Sequence, residues 1–397
     1  MQTSAGSMFS AVSGTPVSLG DVLELRDRRA ALQNELLRQY ELPLVSFTLN
    51  IAGEIKRYKV GDIAFRDGCQ RLTAALGAPV YSQISYENAG VQAVFVYGLP
   101  PEAIKQHCEA IEDSHPAGRL FDMDVIAPGR GKLSRSIPRK CFVCGREARI
   151  CARSRAHGLD NIKNAMFELF RAYYPGRIAD LAVQALIDEA ELTPKPGLVD
   201  MHDSGAHRDM DINTFRSSAH ALRSYFAEAA YIGASEADCM ERLQARGRQA
   251  EKEMFAATGG INTHIGAIYA LGLLAASLLY GNPFEHAARL AQAGSYRDST
   301  RPAVVEAMNG FPSVQAGLNV LASGKSSLEA LYTIMSTLRD SNILKRGGED
   351  ALKFVQTAAQ NRVNPEALNA QLICRNLSPG GSADMLAAAL MLKATLP

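Results

Sequence analysis

The sequence has almost no net charge: 42 Lys and Arg face 41 Asp and Glu, which leaves +1 with histidine neutral. Without a field of one sign there is no electrostatic footprint for nucleic acid or for an anionic membrane surface. A disulfide framework is also missing. The seven cysteines are odd in number, and three of them fall at 141, 144 and 151, a pattern that suits a reducing compartment. Residues 1–18 are small and polar and lack the basic start and apolar run of a signal peptide, so they read as a disordered tail. One uncharged run, Ile265 to Phe284, reaches twenty residues and brushes the length of a membrane span. It contains Gly266, Gly272 and Ser277 and ends in Gly281-Asn282-Pro283, which suits a buried helix of a helical domain. No repeat of fixed period is present. The expectation is a soluble, cytoplasmic protein with no membrane or nucleic-acid partner.

What is present is enough apolar residue, 47% of 397, for two cores, and two domains are the natural division. Ser18 or Asp21 caps a helix to Tyr40 in which Val22, Leu25, Leu32 and Leu36 recur at helical spacing. After Pro43, the β-branched and aromatic run Leu44 to Ile51 reads as a strand, followed by a helix from about Asp62 to Leu76. Two more strands, 81–87 and 91–97, flank the turn Asn88-Ala89-Gly90, and Pro100-Pro101-Glu102 opens a helix to about Asp113. This order describes an α+β domain with a small mixed sheet over 19–174. A helix from Asp160 ends at Tyr173-Tyr174-Pro175-Gly176, where the domain boundary falls. Residues 175–397 read as all-α, with helices at 177–191, 212–231, 235–255, 264–280, 283–293, 301–308, 313–322, 326–337, 348–360, 364–374 and 382–395.

In the first half, strand alternation sends Asp122 and Asp124 to one face and Phe121, Met123 and Val125 into the core. Two carboxylates about 7 Å apart on one strand can share Mg²⁺ for phosphoryl chemistry, although any half-exposed strand carries such a pair. Arg130 to Arg155 holds nine basic residues and the single acid Glu147, either a solvated loop or a surface for polyphosphate or an acidic protein. Inside it Cys141, Cys144, Cys151 and His157 fall at C-x2-C-x6-C-x5-H, enough ligands for a structural Zn²⁺ knuckle; buried free thiols would look the same.

In the second half, Leu192 to Asp211 packs four aspartates and two histidines into its last twelve residues, behind Pro194, Pro196 and a turn at Gly197. Self-repulsion disfavours that density unless a cation or charged substrate sits there; the plainer reading is a polar loop. Asn262 or Thr263 caps the apolar helix, leaving N–H groups and a positive dipole end free for phosphate, and His264 beside it should be neutral. Asp340 precedes the basic turn Arg346-Gly347-Gly348, and Ser378-Pro379-Gly380-Gly381-Ser382 repeats the theme with Ser382 as cap. Taken singly, each Gly pair is only a helix end. Together with the Asp/His loop they suggest loops converging on one polyanionic ligand.

These motifs resemble a known pair of families. Pro-Lys-Pro-Gly-Leu-Val-Asp (194–200), Gly-Ala-His-x-Asp-Met (205–210), Asn-Thr-His-x-Gly (262–266), Arg-Gly-Gly (346–348) and Ser-Pro-Gly-Gly-Ser-Ala-Asp (378–384) are similar to the triphosphoribosyl-dephospho-CoA synthases. Pro43 to Thr48, His115-Pro116-x-Gly118-Arg119-Leu120-x-Asp122-x-Asp124-Val125, and Cys141-x-x-Cys144 leading to Cys151-Ala152-Arg153 resemble the citrate lyase holo-[acyl-carrier protein] synthases. The resemblance implies a bifunctional transferase. The 2′-hydroxyl of 3′-dephospho-CoA attacks C1 of the ATP ribose and adenine leaves; a serine of the apo-acyl carrier subunit of citrate lyase then attacks the α-phosphate and pyrophosphate leaves. It implies Mg²⁺ with both triphosphates. On this reading Asp200, Asp209 and Asp340 serve metal or oxocarbenium work, and His207 and His264 orient or protonate. Lys195, Asn262, Arg346, Gly347, Gly348, Gly380 and Gly381 hold phosphate. In the transferase, Asp122 and Asp124 hold Mg²⁺, with Arg119, Arg135 and Arg153 on phosphates. The competing reading is a Mg²⁺-dependent nucleotide or ADP-ribose hydrolase with a zinc-binding docking module.

Overall fold

A computed structural model describes residues 14–396, so the first thirteen residues of the expected tail lie outside the described residues. The chain divides into two compact units, the first ending at Tyr174 and the second running from Pro175 to Leu396.

The first unit is α+β. Helix α1 (Leu19–Tyr40) starts at a capping box in which Ser18 and Asp21 exchange side-chain and backbone hydrogen bonds. Order begins before it, because Val17 N–H already donates to Glu54 O at 3.0 Å. Strands β1 (Leu44–Leu49), β2 (Tyr81–Glu87), β3 (Gly90–Val96), β4 (Phe121–Ala127) and β5 (Gly131–Lys132) form one sheet in the order β2-β3-β1-β4-β5. Every pairing is antiparallel, so the sheet is not mixed. The reason lies in the connections: β2 and β3 form a hairpin in which Glu87 pairs with Gly90, and β3 to β4 returns through helix α3 (Pro101–Ser114) without a parallel crossover. Val45 and Phe47 of β1 point to the side where helix α2 (Lys59–Leu76) packs, with Phe47 and Phe65 4.6 Å apart between ring centroids. Leu44 points to the other side, where it joins Leu36 of α1, Val94 and Val96. In the β1–β4 register Thr48 faces Asp122 and Ser46 faces Asp124, so both aspartates stand on the α1 side of the sheet.

Helix α4 (Ala148–Arg153) follows, and helix α5 (Leu159–Glu191) runs through Pro175 instead of stopping there. Proline removes one N–H and crowds the preceding turn at about 3 kcal/mol. Buried Tyr173 and Tyr174 before it and buried Ile178 and Ala179 after it give both segments packing that outweighs this local cost.

The second unit is helical throughout: α6 (Ile212–Ala221), α7 (Arg223–Ser235), α8 (Met240–Ala257), α9 (Ile265–Ser277), α10 (Pro283–Ala293), α11 (Pro302–Met308), α12 (Pro312–Ala322), α13 (Ser327–Met335), α14 (Ser341–Gln360), α15 (Pro365–Cys374) and α16 (Gly380–Thr395). The expected single helix over 212–231 is two. They meet at Leu222, fully buried with φ −83 and ψ −3, and no glycine or proline marks the break. Helix α14 starts earlier than expected because Asp340 caps it, and Gly348 at φ 70 is a kink inside it. Gly380 and Gly381 are the first turn of α16, not a turn before it, which moves Ser382 from cap to helix interior. Ile265 to Phe284 contains α9, whose inward face is almost wholly buried in this bundle. No helix of the described residues is long and apolar enough to cross a membrane.

Candidate functional site

In the first unit, the turn between α3 and β4 is fixed from below. His115 Nε2 lies 2.9 Å from Asp67 Oδ2, which also accepts the Tyr173 hydroxyl at 3.2 Å, and His115 Nδ1 accepts the Ala117 N–H. With Ala117 bonding to Nδ1, the imidazole proton faces Asp67. The register of β4 then places Asp122 and Asp124 at a cleft of about 420 Å³ that is also lined by Lys105, Glu112, Lys132, Arg135, Arg139 and Arg149. Burial first, and then the charge of Asp124, raises the Asp122 carboxyl above its ordinary value. Lys132 Nζ pairs with Asp124 Oδ2. Arg135 is committed to Glu112 and Asp113, each at 2.7 Å, and Arg139 pairs with Glu112. Arg119 does not line the cleft, and Arg153 is exposed at the end of α4. The cations sequence reasoning missed are Lys132, Arg139 and Arg149; each stands in the basic segment, but nothing local distinguishes them from its other members.

Beside this cleft the four zinc candidates come together. Cys141 N–H donates to Arg146 O and Gly145 N–H to Cys141 O, a tight turn that turns both thiols of C-x-x-C inward. One ligand atom from each of Cys141, Cys144, Cys151 and His157 lies within 4.8 Å of the others. His157 Nε2 is buried without a hydrogen-bond partner. Hydrogen bonding to Arg146 pulls the Cys144 thiol down to about 6. Burial pushes the Cys151 thiol the other way, up to about 11. A soft donor set with an orphaned imidazole nitrogen fits a metal site in composition and geometry.

In the second unit three of the four aspartates of the Leu192–Asp211 loop accept hydrogen bonds, mostly from backbone N–H groups. Asp200 Oδ2 accepts Lys195 N–H at 3.0 Å, and its Oδ1 accepts His202 N–H at 2.7 Å and Asp203 N–H at 3.0 Å. Asp203 takes Gly205 N–H and the Asn369 amide, and Asp211 caps α6. Gly197 sits at φ +71 with Leu377 O where a Cβ would be, 2.8 Å away, so the turn requires glycine. Lys195 is 2% exposed and donates to Glu189 Oε1 at 2.8 Å and Glu189 O at 2.7 Å. It is therefore engaged in a buried ion pair with Glu189.

Below this loop three helices, α9, α14 and α16, begin around one cavity of about 200 Å³, lined at those ends by Asn262 to Gly266, Asp340 to Asn342, and Gly380 and Gly381. The positive dipole ends of three helices face this cavity, a setting that suits an anion, although Asp340 already takes the N–H groups of Asn342, Ile343 and Ser382, and Asn262 that of Ile265. His207, Lys195, Arg301, Arg339 and Arg346 add cationic or donor groups to its wall. His207 Nε2 meets Ser378 Oγ at 2.8 Å, and Arg346 clamps the loop by donating to Ala206 O at 3.1 Å. Burial, then the Arg346 charge, holds the His207 imidazole below its usual value. His264 Nδ1 lies 2.6 Å from Ser218 Oγ while its Nε2 is buried without a partner. Burial, with Lys195 as the second cause, pushes this imidazole down to about 3.

The acids of the cavity are Glu189, Asp340, Glu306 and Asp384. Asp340 is filled by backbone bonds and is pushed up by burial. Asp384 is different: burial and then the charges of Glu189 and Asp340 raise it well above the carboxylate range. Gly266 makes room for it, because a Cβ there would lie 2.0 Å from Asp384 Oδ2. Asp200, Asp209, Gly347 and Gly348 do not line the cavity, and Asp209 is exposed. The acids that line the cavity with Asp340 are Glu189, Glu306 and Asp384, which the sequence reading did not single out. Asp384 closes the Ser378–Asp384 motif and was within reach; Glu189, inside an ordinary amphipathic helix, carried no signal.

Comparison with known proteins follows the same division. Residues 17–173 match the family model described as apo-citrate lyase phosphoribosyl-dephospho-CoA transferase. Residues 175–301 and 281–396 match ATP:dephospho-CoA triphosphoribosyl transferase. Protein CitXG of Haemophilus influenzae is 32% identical, with 94% of this chain and 95% of that one covered. The chain belongs to both families, joined in one polypeptide. Protein CitXG of Leuconostoc mesenteroides subsp. cremoris is 29% identical over 94% of this chain and 96% of its own. The 2-(5''-triphosphoribosyl)-3'-dephosphocoenzyme-A synthase of Haemophilus ducreyi is 35% identical, covering 62% of this chain and 97% of its own. A multifunctional transferase of citrate lyase prosthetic-group synthesis is thereby the coarse function.

Proposed function

We propose that the second unit makes 2′-(5″-triphosphoribosyl)-3′-dephospho-CoA from ATP and 3′-dephospho-CoA, releasing adenine, and that the first unit transfers the product to a serine of the apo-acyl carrier subunit of citrate lyase, releasing pyrophosphate. The observation that carries the first step is the cavity where three helix N-termini face buried acids. The N–H groups around Asn262 to Gly266 and Gly380-Gly381, with Arg301 and Arg346, bind the triphosphate. Glu189 lines the same cavity, where positive charge builds on the ribose as adenine departs, and low dielectric makes its carboxylate effective there. The raised Asp384 carboxyl holds a proton that the leaving base can accept. His264, kept neutral, orients through its free Nε2. Lys195 keeps Glu189 in place.

In the first unit, the Asp122–Asp124 cleft takes the α-phosphate and departing pyrophosphate, with Lys132, Arg139 and Arg149 balancing charge. Asp122 and Asp124, on one strand face, fit Mg²⁺, which would neutralise charge on the pyrophosphate. Cys141, Cys144, Cys151 and His157 would hold a structural Zn²⁺ that would cross-link the basic segment. The nearby exposed basic residues suit an acidic carrier protein.

The test of the first step is adenine release from ATP. It should require 3′-dephospho-CoA; release without that acceptor would favour a hydrolase.

A further inference from the structure

A second cavity, of about 220 Å³, lies against the acid cavity in the helical unit, and the two share Ile265, Gly266, Arg301 and Ala303 as a dividing wall. Its chemistry is unlike that of its neighbour. Tyr225, Tyr269 and Tyr296 line it together with apolar Leu243, Ile268 and Leu273, and Gln244, Arg248, Glu251 and Arg301 supply its polar groups. The aromatic side chains are held rigidly: the Tyr269 and Tyr296 hydroxyls are 2.8 Å apart, and Tyr225 donates to Ile268 O at 2.9 Å. Gly247 of α8 also faces this space. Glycine inside a helix is destabilising relative to alanine. Close packing does not explain it, because a Cβ at Gly247 would meet nothing nearer than the Tyr225 hydroxyl at 3.8 Å. What the glycine keeps is the space.

We propose that this aromatic cavity is the seat of an adenine ring, placed so that the attached ribose crosses the Ile265–Gly266 wall towards Asp384. The proposal rests on the synthase reading above. Flat tyrosine faces and aliphatic side chains suit a neutral planar base, as the acid cavity with its helix ends suits phosphate. Glu251 and Arg248 offer an acceptor and a donor to the base edge. Two substrates carry adenine, ATP and 3′-dephospho-CoA, and the chemistry of recognition is the same for both.

The test is Gly247→Leu in the full chain, which fills the space without a backbone clash and removes a helix-interior glycine. The melting temperature should hold or rise. The KM for one adenine-bearing substrate should rise about tenfold or more while kcat changes little, the mark of binding lost equally from the ground and transition states. A rise for ATP alone assigns the cavity to the nucleotide, a rise for 3′-dephospho-CoA alone assigns it to the acceptor, and either supports the proposal. Unchanged KM values for both, with the fold intact, overturn it. Equilibrium dialysis with adenosine separates this from the reaction itself: wild type should bind adenosine and Gly247→Leu should not. If wild type binds adenosine but releases no adenine in turnover, the synthase reading fails and the base site stands. Equal adenosine binding by both proteins sinks the base site.

Discussion

Asp340 Oδ2 accepts both the N–H of Ser382, at 2.8 Å, and its hydroxyl, at 3.0 Å, while Oδ1 accepts the N–H groups of Asn342 and Ile343. One buried carboxylate thus ties the start of α14 to the first turn of α16. Gly381 permits this approach, since its Cβ would stand 3.1 Å from the Asp340 carboxyl. This contact fixes two of the helix starts that border the cavity.

Asp340→Ala removes a helix cap and strands buried N–H donors, so it should cost about 2–4 kcal/mol. Urea unfolding measures it. A loss below about 1 kcal/mol would mean that the two helix ends are held by something else.

Asp384→Asn should separate stability from activity. The folded protein keeps the Asp384 proton to a higher pH than the unfolded chain, so wild-type stability falls as pH rises above the ordinary carboxylate value of about 4. Asparagine removes that dependence. At pH 7 the variant should be at least as stable as wild type and should release adenine at least about a hundredfold more slowly. Thermal melts across pH together with an adenine-release assay check both halves; a variant with near-wild-type turnover contradicts the assigned role.

His264 gives the opposite sign. Its folded-state value of about 3 lies below the ordinary imidazole value, so the unfolded chain takes up a proton as pH falls and the folded chain does not. Stability therefore declines from about pH 6.5 downward, and His264→Gln should remove that part of the decline. Nitrogen-15 NMR of the imidazoles should find His264 neutral at pH 5; a titration near pH 6.5 would contradict the burial argument.

Zinc is checked by metal content. The purified chain should carry one Zn²⁺ ion, and Cys151→Ser or His157→Ala should lose it and lower the melting temperature of the first unit. Loss of zinc without any thermal effect would leave the ion with no structural role.

The elements of the first unit were legible because alternation and turn residues agree there: the strand pattern placed Asp122 and Asp124 on one face, as the β1–β4 register has it. In the helical unit, periodicity and glycine breaks located most helices. It failed where burial overrode local signals. Pro175 is carried through a helix by its flanks, and Leu222 breaks one with no breaker residue. The site was legible where a motif borders a helix start, as at His264, Asp340 and Gly380. Charge density does not tell that the Asp200 oxygens are filled by backbone N–H groups or that Lys195 pairs with Glu189. Whether an acidic side chain reaches a cavity or folds back on its own loop depends on backbone direction, which composition does not carry.

The most direct test is mass spectrometry of the apo-acyl carrier subunit after incubation with ATP, 3′-dephospho-CoA, Mg²⁺ and this protein. Wild type should add the phosphoribosyl-dephospho-CoA group to one serine, Asp384→Asn should add nothing unless preformed triphosphoribosyl intermediate is supplied, and Asp122→Asn should release adenine yet leave the carrier unmodified. An unmodified carrier with wild-type protein and supplied intermediate would contradict the two-step account.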